Sequence, residues 1–266
     1  RTASGSGVRT GSTTSTRISR RARDPMTEAA DALALHCMMG RGRSWDDIAG
    51  RLGQRFTAPD LPGHGAVPWL EGTDYLEACI AHAEAHWGAE RHLAGHSFGA
   101  VVCLHLAARH PGRVDRLTLI EPVLFRAAQD ASAIAENGTL FQDILGHVTA
   151  GRLDAAAHAF YQVWGEGQWD ALPAHVQASM AQAMPMIVAQ DRALAGPHAA
   201  DVLADVHAPV LLIEGTDSPA IIASIQATLS ATFGGAPRAR VPGAGHMVAV
   251  THPDEVARAM AGHPGS

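Results

Sequence analysis

The 266-residue sequence predicts an α/β fold in which a doubly wound, mostly parallel sheet carries an inserted helical segment. From Leu33 to Gly262, short apolar runs of strand length alternate with longer runs that have helical spacing. Such alternation predicts parallel strands with helices on both faces of the sheet. One connection breaks this pattern, because more than 80 residues separate the apolar run that ends at Ile120 from the one that starts at Pro209. A single crossover helix needs far fewer residues, so we expect an insertion there.

The regular elements are predicted from apolar runs, helix caps and turn residues. The six predicted strands cover residues 32–36, 55–58, 91–94, 116–120, 209–213 and 237–241. The predicted helices that alternate with them cover residues 44–53, 74–87, 100–110, 219–233 and 254–262. Within the long connection, helical runs cover residues 127–135, 140–148, 153–164, 174–184 and 187–195.

Residues 95–99, G-H-S-F-G, lie between a predicted strand and a predicted helix. This context is typical of a nucleophile elbow, a sharp turn that presents a serine at the end of a strand. The serine backbone is strained in such a turn, and a side chain at either glycine would collide with a neighbouring strand or helix. We therefore predict that Ser97 is a nucleophile. The alternative is a plain tight turn that begins a helix.

Three further motifs accompany this turn: residues 36–40 (H-C-M-M-G), residues 60–65 (D-L-P-G-H-G) and residues 243–246 (G-A-G-H). Together with the elbow, and in this order, they make the chain resemble the α/β-hydrolase superfamily from about Leu33 to about Ala261. The order of serine, acid and histidine along the chain is also the order of that superfamily.

The resemblance implies a division of the chain into a core and a cap. The hydrolase core would cover residues 26–122 and 207–266, and a helical cap would cover residues 123–206 above the serine. Few residues lie between Met26 and the first predicted strand, so the resemblance implies a trimmed sheet.

A serine hydroxyl is a weak nucleophile at neutral pH and needs a base, which His246 can supply. By resemblance, the backbone N–H groups of Met38 and Phe98 form the oxyanion hole that holds the negative charge of the transition state. The superfamily generally has glycine where Cys37 stands, which leaves the shape of this loop open. Cys37 could itself be a nucleophile, but no motif gives it a base.

Two carboxylates compete for the third catalytic position. The usual acid of the superfamily lies three residues after a glycine at the end of the fifth predicted strand; here Ser218 has that position and Asp217 comes one residue earlier. Some members carry the acid one strand earlier, where Glu121 follows residues 116–120. A glutamate at the end of a buried strand is costly without a partner, so we favour Glu121. The alternatives are a helix cap for Asp217 and a salt bridge to the cap for Glu121.

Candidate pocket residues come from the motifs and from the aromatic and methionine residues of the predicted cap. An apolar pocket lined partly by methionine would adapt to irregular substrates, although such residues can equally pack cap helices together. The residues that we expect at the pocket are His36, Cys37, His96, Phe141, Trp164 and Met247. For His96, beside the serine, the alternative is that it fills the back of the elbow. Further apolar residues that could face it are Phe160, Tyr161, Trp169, Met180, Met184 and Met186.

These residues predict a serine hydrolase that cleaves a small, mainly apolar ester, thioester or amide through an acyl-enzyme, without a cofactor. Two alternatives stay open. The chain also resembles cofactor-free lyases of menaquinone biosynthesis, in which the same serine and histidine would abstract a proton. A catalytically inactive ligand-binding α/β-hydrolase is the third possibility.

The predicted partner is a small-molecule substrate, and the composition argues against nucleic acid and a membrane as partners. A net charge of −6 gives no reason to expect nucleic acid, and no apolar run approaches the ~20 residues that cross a membrane. The three cysteines are too scattered for a disulfide framework, which favours a cytoplasmic location. Among sixteen histidines, His82 and His86 are four apart but have no evident third ligand, so no metal site is expected.

Residues 1–25 differ from the rest of the sequence. They are rich in arginine, serine, threonine and glycine and carry little that could enter a core. We expect a disordered basic tail, non-native or mis-assigned ahead of Met26. A transit peptide would need an amphipathic apolar face, and a signal peptide would need an apolar core.

Overall fold

The computed structural model of the chain describes residues 30–196 and 200–263, together with Thr2. The predicted tail, residues 1–25, therefore lies outside the described residues except for Thr2. In the described part of the chain, no helix is both long enough and apolar enough to cross a membrane.

Six parallel strands form one sheet, and each lies where the sequence predicts a strand. They are β1 (Ala32–Leu35), β2 (Phe56–Thr57), β3 (His92–His96), β4 (Arg116–Ile120), β5 (Val210–Gly215) and β6 (Arg238–Val241). Their spatial order is β2-β1-β3-β4-β5-β6, so the chain changes direction across the sheet between β1 and β3. In open α/β sheets, ligands bind at such a switch point, outside the carboxyl ends of the strands.

The described helices are numbered along the chain. They are α1 (Asp46–Leu52), α2 (Tyr75–His86), α3 (Phe98–Arg109), α4 (Ala131–Thr149), α5 (Leu153–Trp164), α6 (Ala174–Ala195), α7 (Ala220–Thr232), α8 (Val248–Thr251) and α9 (Pro253–Ala261).

Both faces of the sheet are covered, as a doubly wound fold requires. Side chains alternate along each strand, so Leu33 joins a core with α2, α3 and α7, whereas Ala34 joins a second core with α1 and α9. The same alternation separates Leu212 from Ile213 in β5. The predicted fold class, a doubly wound α/β sheet with a trimmed set of strands, is confirmed.

Between β4 and β5 the chain forms α4, α5 and α6, which we call the helical segment (residues 123–206). The sequence predicts two helices where α4 is continuous, and again two where α6 is continuous. In α4, Gly138 lowers helix propensity, but burial of Phe141 and Ile144 outweighs that cost of about 1 kcal/mol. In α6, the helix continues through Pro185, although proline cannot donate the usual backbone hydrogen bond.

Candidate active site

Ser97 lies at the turn from β3 into α3 with a strained backbone, at φ 57° and ψ −118°. Both flanking glycines are required by close contacts. A Cβ on Gly95 would lie 2.4 Å from the Cα of Ala100, and one on Gly99 would lie 2.3 Å from the carbonyl oxygen of Leu35. The turn therefore has the geometry of a nucleophile elbow.

The neighbouring strand β4 ends beside this turn. The Ser97 N–H donates a 2.8 Å hydrogen bond to the carbonyl oxygen of Ile120, the last residue of β4. Glu121 follows at once with a positive φ of 51°, and its own N–H donates to the carbonyl oxygen of Ile213 in β5. Sheet register thus places a serine and a glutamate at the ends of adjacent strands.

A relay of two hydrogen bonds joins Ser97, His246 and Glu121. The Ser97 hydroxyl lies 2.9 Å from His246 Nε2, and His246 Nδ1 lies 3.0 Å from Glu121 Oε2. The three side chains are buried, with 6%, 5% and 0% of their surface exposed. With the proton on Nδ1, the imidazole donates to the carboxylate and accepts from the serine hydroxyl. This is the arrangement that lets a histidine remove the serine proton.

The second carboxylate oxygen of Glu121 is held by two donors from the end of β5. Its Oε1 accepts a 2.7 Å hydrogen bond from the Gly215 N–H and a 2.9 Å hydrogen bond from the Ser218 hydroxyl. Burial raises the pKa of Glu121, and these two hydrogen bonds act against that rise by stabilising the ionised form. Ser218 was not predicted as a site residue, although it stands where the usual acid would lie.

Asp217, the alternative acid, lies outside this relay. It is exposed, and its carboxylate accepts a hydrogen bond from the adjacent Thr216 hydroxyl. Its N–H donates to the carbonyl oxygen of Ala244, which directs the backbone toward the histidine loop and leaves the side chain at the surface. The Nδ1 atom of His246 is occupied by Glu121 instead.

Two side chains hold the His246 loop in place. His96 Nε2 lies 2.9 Å from the carbonyl oxygen of His246, and the Trp164 ring meets the His246 ring edge-on at 4.7 Å. His96, for which the pocket and the back of the elbow were both open, is 3% exposed, does not line the cavity described below and contacts the loop from behind. Burial lowers the pKa of His246, which keeps the imidazole neutral and able to accept a proton.

The two predicted oxyanion donors lie where β1 and α3 meet. Phe98 begins α3, and the first N–H groups of a helix have no partner within it. The close approach of Gly99 to Leu35 packs the start of α3 against the end of β1, from which the loop with Met38 follows. Amides at a helix start, where the dipole is positive, favour a developing negative charge.

Two neutral histidines shape this loop. His36 Nε2 accepts a 2.9 Å hydrogen bond from the Leu61 N–H, and His64 Nε2 accepts one of the same length from the Met39 N–H. Burial lowers the pKa of both imidazoles, to about 4 in His36, so each is neutral and can accept. His36, predicted as a pocket residue, is fully buried and is instead a support for the loop.

Cys37 is also a correction to the predicted pocket. It is 4% exposed, and its carbonyl oxygen accepts a 3.0 Å hydrogen bond from the Gly40 N–H, which closes the turn. Burial raises the pKa of its thiol to about 12. The thiol is therefore protonated at neutral pH and a poor nucleophile.

A cavity of about 820 Å³ lies between the oxyanion loop, the loop after β2 and the helical segment. Its lining includes five of the eight methionines in the chain. Predicted residues that line it are Phe160, Tyr161, Trp164, Met180, Met186 and Met247. Phe141 does not line it, because its ring packs against Phe125 inside the helical segment. Trp169 and Met184 are likewise outside the lining.

Several known proteins are similar to this chain. Lipase LipV of Mycobacterium tuberculosis is 34% identical over 111 residues, which are 40% of this chain and 41% of that protein. The pimeloyl-[acyl-carrier protein] methyl ester esterase of Chromobacterium violaceum is 33% identical over 36% of this chain and 39% of its own length. The chain thus spans about two fifths of the length of these two relatives.

Other similarities extend over most of the chain. The pimeloyl-[acyl-carrier protein] methyl ester esterase of Aromatoleum aromaticum is 28% identical over 77% of this chain and 85% of its own. The crystal structure of a hydrolase from Pseudomonas aeruginosa PA01 shares the fold, with a TM-score of 0.68 and 22% identity over 89% of this chain and 91% of that one. The model of the alpha/beta hydrolase family matches residues 32–259, and the chain therefore belongs to that family.

Proposed function

We propose that the protein is a serine hydrolase that cleaves a carboxylic ester or thioester through an acyl-enzyme. The observation that carries the proposal is the buried relay from Ser97 through His246 to Glu121, with contacts of 2.9 Å and 3.0 Å. The family membership and the esterase and lipase relatives support the same class of reaction.

In the proposed reaction, Ser97 Oγ attacks the carbonyl carbon while His246 Nε2 takes the hydroxyl proton. The N–H groups of Met38 and Phe98 hold the oxygen that becomes negative. His246 then gives its proton to the leaving group as the bond to the carbonyl carbon breaks. Glu121 stabilises the imidazolium that exists between these two steps and keeps its ring in one orientation.

The acyl-enzyme is resolved by the same groups. A water molecule gives a proton to His246 and attacks the acyl carbon, and the oxyanion donors act a second time. Collapse of the intermediate returns the proton to Ser97 Oγ and releases the acid. Each proton thus moves only between His246 Nε2 and the reacting oxygen or sulfur atoms.

The cavity supports an apolar substrate. Aromatic and methionine side chains from the helical segment face the loops of the sheet, and thioethers adapt to irregular shapes. On this basis residues 123–206 act as the cap predicted from the sequence.

The decisive test is Ser97→Ala, compared with Ser179→Ala; Ser179 lines the cavity and lies outside the relay. We expect Ser97→Ala to lose labelling by a fluorophosphonate and to lower hydrolysis of short acyl esters at least about 10³-fold, with little change in melting temperature. Ser179→Ala should keep labelling. Residual hydrolysis above roughly a tenth of wild type in Ser97→Ala would contradict the proposal. Wild-type labelling without any ester turnover would favour lyase chemistry.

A further inference from the structure

A second cleft, of about 580 Å³, adjoins the cavity. Arg41 and Val67 line both, so the two spaces meet at the loop that follows the oxyanion turn. The other cleft residues come from the segment after β1, the loop after β2 and one face of α2. A molecule bound in the cavity could therefore extend past Arg41 without crossing the core.

The cleft is basic, although the chain as a whole carries a net charge of −6. Arg41 and Arg43 line it together with His82 and His86. Within the described part of the chain, neither guanidinium has a carboxylate within 4.0 Å; Arg41 donates to the carbonyl oxygen of Gly40 and keeps further N–H groups free. Unpaired arginines grouped in a concave site are typical of anion recognition.

The positions of His82, His86 and Asp60 are consistent with anion binding in the cleft. Among the residues with described positions, His82 Nε2 is buried and has no hydrogen-bond partner, and the His82 and His86 rings lie 4.3 Å apart. Asp60 is the one acidic group among the lining residues. Its carboxylate accepts a 2.7 Å hydrogen bond from the Gly42 N–H, so it is engaged with the backbone.

We propose that this basic cleft, defined by Arg41, Arg43, His82 and His86, binds a phosphate group on the leaving-group side of the substrate. Two guanidinium forks supply the positive charge, and an imidazole can add a neutral N–H donor; together they match a phosphate of charge about −1.5 to −2. The apolar acyl part then occupies the larger cavity, and the phosphorylated alcohol or thiol lies in the cleft. This inference rests on the proposed hydrolase function.

The kinetic test compares two thioesters with the same acyl group: butyryl-coenzyme A, whose leaving group carries phosphates, and butyryl-N-acetylcysteamine, whose leaving group carries none. In the wild type, KM should be lower for the coenzyme A thioester. We define the KM ratio as KM for the N-acetylcysteamine thioester divided by KM for the coenzyme A thioester. Arg43→Ala should reduce this ratio roughly ten-fold, which is the effect of losing one charge-assisted contact. Arg126→Ala, an exposed arginine outside the cleft, should leave the ratio as in the wild type. An unchanged ratio in Arg43→Ala overturns the proposal.

A binding measurement separates failure of the cleft from failure of the proposed function. Calorimetry with inorganic pyrophosphate on the Ser97→Ala protein needs no turnover. We expect saturable binding that weakens roughly ten-fold when Arg43→Ala is added and stays the same with Arg126→Ala. If neither thioester is hydrolysed, this titration alone decides the cleft, and the short-ester assay of Ser97→Ala still decides the hydrolase proposal. Absence of pyrophosphate binding, or equal binding to all variants, overturns the cleft proposal.

Discussion

The ends of β4 and β5 perform opposite tasks in this molecule. At the end of β4, Glu121 is fully buried and contacts His246 with one carboxylate oxygen. At the end of β5, Gly215 and Ser218 donate hydrogen bonds to the other oxygen, while Asp217 turns to solvent. One strand thus provides the carboxylate, and its neighbour provides two hydrogen bonds that oppose the rise in the pKa of that carboxylate caused by burial.

This difference separates the position where the motif places an acid from the position where the structure places the carboxylate that contacts His246. Ser218 occupies the place that the sequence motif reserves for the acid, and its hydroxyl reaches Glu121 at 2.9 Å. The two positions lie close together because parallel neighbouring strands end at the same edge of the sheet.

The variant with the largest expected effect is Glu121→Gln, which tests whether Glu121 is the carboxylate that supports His246. The amide cannot stabilise the imidazolium and favours the wrong tautomer of His246, so turnover should fall about 10³- to 10⁴-fold. Ester hydrolysis at pH 7 to 8 measures the loss, and a melting curve shows whether the fold is kept. A decrease of only a few-fold would show that another carboxylate performs this role.

Gly215→Ala should displace the backbone N–H that donates to Glu121, because the new methyl group has no room. The added Cβ would lie 2.1 Å from the carbonyl oxygen of Ala244, in the loop that carries His246, and backbone cannot yield cheaply there. We expect the free energy of unfolding to fall by about 1–3 kcal/mol and turnover to fall with it. Gly50→Ala, in an open position of α1, is the matched control and should stabilise slightly, by up to about 1 kcal/mol in denaturant unfolding, because alanine favours a helix over glycine. Equal stability of the two variants would contradict the contact.

Ser218→Ala removes the hydroxyl that donates a hydrogen bond to Glu121 and tests its effect on the pKa of Glu121. Losing this donor destabilises ionised Glu121 and raises the pKa of Glu121 further, so the fraction ionised at a given pH falls. The acid limb of the pH profile of kcat/KM should therefore move to higher pH, by roughly one unit. Ser218→Thr keeps the hydroxyl and should restore the profile. A shift to lower pH would be the wrong sign for this model.

Asp217→Asn should have the smallest effect. The side chain is exposed and is bonded to the adjacent Thr216, so the change should alter turnover less than about three-fold, as expected for a surface substitution. Comparison with Glu121→Gln shows which of the two carboxylates supports His246 in catalysis. If Asp217→Asn is the variant that loses turnover, the acid lies at the more usual place and the comparison of the two strands is reversed.

Local sequence patterns were sufficient to predict the strands and to identify the motifs. The apolar runs predicted all six described strands; β1, β3, β4 and β5 are buried along their whole length, whereas the edge strands β2 and β6 are only partly buried. Residues 95–99 predict the elbow because its glycines are sterically required. The support of Glu121 by Gly215 was beyond sequence reasoning, because it depends on how two distant strands align. The structure places His36 outside the predicted pocket and puts His96 behind the elbow, the alternative left open for it, because a histidine beside a motif can face the backbone as readily as the cavity.

The hydrogen bond from the Ser97 N–H to the Ile120 carbonyl oxygen has a consequence for folding fidelity. It fixes β3 against β4 so that Ser97 and Glu121 emerge together, each with a positive φ. A slip of one residue between these strands would send every side chain of the shifted strand to the opposite face. Such a misfolded sheet could retain much of its secondary structure and still be inactive. Specific activity would then report the fraction of molecules with the correct strand alignment more sensitively than circular dichroism.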